Sequence, residues 1–181
     1  MSVQHFRVKV FASEGAAPDL GKAIPVFHRW IQQNTVPGHL LIDVADYQQV
    51  PQGPGIMLIA NEAFFGLDQS RGRLGLLYNR RTVLDGTVEE RLRQAVEAAL
   101  SACSLIEQAP EFEGRLRFDA GDLEVSVNDR LLAPNTSETF QKLEPSLRQV
   151  FDQLWGQGTY QLVHEGEARE LFRVRARRNG R

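Results

Sequence analysis

The sequence predicts an α+β fold: a mainly antiparallel sheet with about three helices, in the order β-α-β-β-β-α-β-β-α-β-β. Three observations carry that expectation. Apolar and polar residues alternate in many short runs, the mark of half-buried strands. Turn residues join most of those runs directly, as in hairpins. Only three segments show the three-and-four apolar spacing of an amphipathic helix. So few crossover helices favour an antiparallel sheet over a doubly wound parallel one.

The first strand is expected over residues 5–12, where Phe6, Val8 and Val10 alternate with His5, Arg7 and Lys9. Leu20, Ile24, Phe27 and Ile31 then form a helical stripe. Pro25 would cost an internal hydrogen bond if that helix began a turn earlier, so regular helix is expected from about Ile24. "GHLLIDVADYQQV" (38–50) reads as a strand closed by "PQGPG", and "IMLIA" (56–60) as another. "NEAFFGLDQSRGRLGLLYNRR" predicts a strand, a tight turn near Ser70–Gly72 and a returning strand over Leu74–Tyr78.

Thr87 followed by Glu90 is a capping box, ahead of a stripe of Leu92, Val96, Ala99, Cys103 and Ile106. "GRLRFDAGDLEVSVNDRLL" predicts a hairpin turning at Ala120–Asp122. A third helix, capped around Asn135–Ser137, should turn Phe140, Leu143, Leu147, Val150, Phe151 and Leu154 inward. "TYQLVHEG" and "RELFRVRARR" are the last strands. A single compact domain over residues 1–181 is expected, with possible halves 1–86 and 114–181 joined through helix 87–108. A faint echo at an offset of 120 aligns Lys22 with Lys142, Pro25 with Pro145 and Gly38 with Gly158, as an internal repeat would.

The bulk numbers narrow the function. The chain has 181 residues, 42% of them hydrophobic, enough to bury a core. It contains no apolar run of membrane-spanning length and no signal-peptide pattern near its start, so a soluble, cytoplasmic protein without membrane contact is expected. The one cysteine, Cys103, lies on an apolar stripe, which rules out an internal disulfide and predicts a buried small hydrophobe. A net charge of −2 argues against nucleic acid as the partner. HExxH, GxSxG and the glycine-rich phosphate loops do not occur, and no cofactor or metal is predicted.

"HLLIDVADY" (39–47) is the stretch that looks most like chemistry. On an extended strand His39 and Asp43 stand about 13 Å apart, too far to share one metal ion. The plain reading is a strand with His39 and Asp43 on a wet face and Leu40, Ile42 and Val44 buried. The catalytic reading joins Asp43 or Asp46 to Glu62, whose apolar neighbours Ile59, Phe64 and Phe65 could raise its pKa, with a divalent cation as an option. Tyr47 and Asn61 would then line the site.

Two arginine-rich stretches, "SRGRLGLLYNRR" with Arg71, Arg73 and Arg80, and "ELFRVRARRNGR", could form a phosphate- or RNA-binding surface if they met in space. Otherwise the second is the solvated row of an edge strand. The leading expectation is a binding protein without catalytic machinery. It would self-associate as a homodimer through Phe64, Phe65 and Leu67 and the "DQSRGR" hairpin, and take a small ligand or protein partner. The alternatives are the carboxylate enzyme and the arginine-row binder.

Overall fold

The computed structural model describes residues 3–50 and 53–180. It has three helices and one eight-stranded antiparallel sheet, an α+β fold. The elements are β1 (Phe6–Ala12), α1 (Ala23–Gln33), β2 (Leu41–Tyr47), β3 (Gly55–Ala60), β4 (Ala63–Asp68), β5 (Gly75–Arg80), α2 (Val88–Glu107), β6 (Phe118–Val127), α3 (Ser137–Trp155), β7 (Tyr160–Glu165) and β8 (Arg173–Arg178). Across the sheet the strands run β2-β3-β4-β5-β1-β6-β8-β7. The first strand of the chain is therefore central, and β2 and β7 are the edges.

Strand alternation decides which residues meet the helices. Val8 and Val10 of β1, Leu58 of β3, Phe65 and Leu67 of β4, Leu76 and Tyr78 of β5, Leu123 and Val125 of β6 and Val174 of β8 are all fully buried in one core. Helix α1 packs on β2 and β3, α2 on β1 and β5, and α3 on β7 and α2. Helix α1 begins at Ala23, after one 3-10 turn, so Pro25 falls in its first turn where no backbone donor is lost. Helix α2 starts from the expected capping box, with Thr87 and Glu90 each accepting from the other's backbone N–H.

Three local expectations fail. Residues 118–127 are one continuous strand, because Ala120–Asp122 form a bulge: the register passes from Val10 opposite Leu123 to Ala12 opposite Phe118. In the 39–47 stretch it is His39 that is buried, 7% exposed, while Leu40 and Ile42 are 63% and 54% exposed. The register shifts between Leu41 and Asp43, so the residues before Ile42 face opposite to the plain alternation. Leu154, expected inward on α3, is 38% exposed.

Candidate functional site

The helices cover one face of the sheet and leave the other open. Register gives that open face as a grid. One row runs Phe64, Asn79, Arg7, Ser126, Arg173 and Glu165 across β4, β5, β1, β6, β8 and β7. The next runs Met57, Gly66, Leu77, Lys9, Glu124, Arg175 and Val163, starting on β3. Asp122 and Arg177 follow on the third row. So polar a set of side chains in mid-sheet needs partners, and the loop between β4 and β5 supplies them.

That loop folds back over the face. Arg71 takes a left-handed backbone, φ 58°, which turns the chain inward. Arg71 then donates to both oxygens of Glu124, at 2.5 and 2.6 Å, and Arg73 donates to Asp122 at 3.2 Å while its guanidinium lies 3.8 Å over the Phe11 ring. From the other side Arg175 donates to both oxygens of Asp122, at 2.8 and 2.7 Å, and Arg173 pairs with Glu124. Each acid is thus clasped between an arginine of the loop and one of β8. Burial pushes the Asp122 carboxyl up, but hydrogen bonds from Arg175 and Arg73 outweigh it and hold the group below the usual carboxylate range.

The two arginine stretches therefore do meet, through Arg71 and Arg73; Arg80 lies at the far end of β5 and donates to Thr82 O at 3.3 Å. Strand β8 is interior, so its row is no edge protection. The meeting leaves two grooves. One, of about 560 Å3, is lined by Arg73, Arg175, Arg177 and Arg178 with Glu14, Asp119 and Asp122. The other, of about 580 Å3, is lined by Arg7, Arg71, Arg130, Arg169 and Arg173 with only Glu124 and Glu170 as acids. No protein-family model and no curated protein matches this chain.

The carboxylate trio is spread along the β2 edge. Glu62 accepts from Leu40 N at 2.8 Å, at the start of β2. Asp46 lies at its far end opposite Ile56, six residues and roughly 20 Å away. Asp43 accepts from its neighbour Val44 N, and Asp46 from Gln48 N, as turn and strand-end residues do. Burial pushes Glu62 up, yet hydrogen bonds from the backbone of Leu40, its own N–H and the Asn61 amide hold it below its ordinary value, the opposite of a general acid's shift. Tyr47 is exposed at the Asp46 end; Asn61 sits beside Glu62. Among the described residues no three His, Cys, Asp or Glu side chains gather where an ion could bind.

His39 is structural. Its Nε2 lies 3.1 Å from the Tyr78 hydroxyl and its Nδ1 2.9 Å from Pro37 O, and Gln94 donates to Tyr78 at 3.0 Å. This buried chain is fully satisfied. Cys103 is buried and its thiol is pushed up, first by burial and then by Glu107, as an inert side chain would be. Phe65 and Leu67 are fully buried and the "DQSRGR" loop lies on its own sheet, so neither forms the outward surface expected of them.

Sequence reasoning missed Arg7 and Ser126. Their only signal was position: each is a polar residue on a strand whose alternate residues are core.

Proposed function

We propose that this protein acts by binding, and that the open face of its sheet takes up a small anionic ligand. The observation that supports this best is the local excess of cations. A chain of net charge −2 gathers five arginines against two glutamates in one groove. Acids alternate with the arginines, so the face offers short cationic pockets in place of the unbroken stripe that tracks a nucleic-acid backbone. Inorganic phosphate tests the reading. Its addition should raise the melting temperature more than chloride at equal ionic strength does. An equal effect of the two salts refutes anion binding, and tighter retention of single-stranded RNA than of phosphate replaces it with the nucleic-acid reading.

A second reading concerns self-association. Strand β2 pairs on one side only, and Leu40, Ile42, Tyr47 and Val50 stand exposed along it. Pairing of β2 with β2 of a second copy would extend the sheet and cover them. Sedimentation should give a dimer that Ile42→Asp dissociates; a monomer at all accessible concentrations removes this reading.

The sequence echo fits the same picture as a proposed duplication. β1 and β6 lie side by side, each continues into a helix and then an edge strand, and the two grooves take Ser13–Gly15 after β1 and Asn128 and Arg130 after β6.

A further inference from the structure

The anion reading leaves the nature of the ligand open, and the open face carries more than charge. Within the row Asn79, Arg7, Ser126, Arg173, the two arginines stand on either side of one serine, about 10 Å apart between their backbones. That spacing leaves room for one tetrahedral oxyanion above the Ser126 hydroxyl, reached by a guanidinium from each side.

Both guanidinium groups are short of partners. The Nε atoms of Arg7 and Arg173 are sealed from solvent and donate no hydrogen bond. Arg173 pairs with Glu170 through a terminal nitrogen and shares Glu124 with Arg71. Arg7 makes no ion pair or side-chain hydrogen bond among the described residues. Burial pushes its guanidinium below the ordinary value, with only distant help from Asp68 and Glu124. The two acids that act on Arg7 are already engaged, Asp68 by Lys9 and Glu124 by Arg71. A charge left so poorly matched is what an incoming anion would satisfy.

Arg7 and Asn128 also line a second depression, of about 250 Å3, whose floor is apolar: Met57, Phe64, Gly66 and Leu77. Gly66 leaves its centre bare. A Cβ there would come no closer than 3.4 Å to Ile56 O and 3.5 Å to Met57, ordinary contacts, and the backbone is not left-handed. Neither crowding nor conformation calls for glycine at this point, and a side chain would fill the hollow. The Arg81 guanidinium lies 4.7 Å over the Phe64 ring.

We propose that the ligand is a small phosphate monoester of an apolar alcohol, with its phosphate at Arg7, Ser126 and Arg173 and its apolar body on Gly66, Leu77, Met57 and Phe64. This rests on the anion reading above and adds the second lobe to it. The charge excess of the groove matches a dianion, and the combined space is far larger than a phosphate ion.

Calorimetric titration of the full chain with phenyl phosphate, inorganic phosphate and phenol tests it. Phenyl phosphate should bind one site at least about tenfold tighter than inorganic phosphate, the contribution of burying a ring, with phenol undetected. Arg7→Gln should weaken both phosphates more than about tenfold. Gly66→Val should reduce phenyl phosphate to the level of inorganic phosphate and leave the latter unchanged; Met57→Gln does the same in part and serves if the valine variant does not fold. Equal binding of the two phosphates, or an unchanged preference in both variants, overturns the apolar lobe while the anion reading stands. Absence of binding by either phosphate overturns both.

Discussion

Lys9 sits in the middle of the sheet's uncovered face, yet it is 2% exposed. Its ammonium donates to Asp68 at 2.6 Å and to Arg73 O at 2.6 Å, under the folded-back loop. Burial lowers its pKa even against Asp68, whereas Asp68, with Lys9 and Ser70 as donors, is held below the usual range despite its own burial. Removing one partner strands the other, so Asp68→Asn should cost about 3 kcal/mol in urea unfolding; a cost under 1 kcal/mol would mean the pair is replaceable. The pH dependence follows from the same groups. Asp68 and Asp122 have folded-state pKa values below their unfolded value near 4, so their stabilisation is complete above that value and drains away as pH falls through the folded ones. Melting temperature should therefore drop steeply below about pH 4, and less steeply in Asp122→Asn. Residue types made these charges legible in the sequence. Their pairings were not legible, because Lys9 and Asp68 meet across β5, beneath a loop in which Arg71 adopts a positive φ.

At the level of elements, what was legible depended on whether local pattern or a neighbour decides. The capping box fixed the start of α2 from four residues, and Thr87→Ala should cost about 1 kcal/mol by thermal unfolding, with no change in the fold. Strand β1 was equally plain, since Phe6, Val8 and Val10 alternate with Arg7 and Lys9 in the sequence, although Lys9 and Phe11 are buried as well. The β2 stretch misled because one bulge reverses the faces before Ile42, and periodicity carries no mark of where a bulge falls. Likewise Ala120–Asp122 carries the same residues whether it turns the chain back or bulges within a strand. Gly75 shows a neighbour deciding: a Cβ there would lie 2.6 Å from Val10 O and 2.8 Å from Lys9 Cε. Gly75→Ala should thus loosen the β1–β5 pairing, read as faster amide exchange across both strands; unchanged exchange would show that the strands can part slightly at no cost.

For the whole molecule, the α+β class with an antiparallel sheet followed from hairpin signals and the scarcity of crossover helices, whereas strand order did not. The candidate site depends on that order. Arg7, Ser126 and Arg173 come from three strands spread along the chain from residue 7 to residue 173 and adjoin only because β6 lies between β1 and β8. No described helix is long and apolar enough to cross a membrane.

The central place of β1 also has a consequence for synthesis. The strand precedes both of its neighbours, β5 and β6, in the chain, so neither side of it can be paired until residues 75–80 and then 118–127 have been made. Until β5 has been made the nascent chain carries Phe6, Val8 and Val10 without a sheet to join. Refolding of the finished chain should be correspondingly slow, in the millisecond-to-second range typical of sheets closed by distant contacts. Stopped-flow fluorescence of Trp30 and Trp155 would measure it, and refolding in microseconds would show that the helices nucleate the core before the middle of the sheet closes.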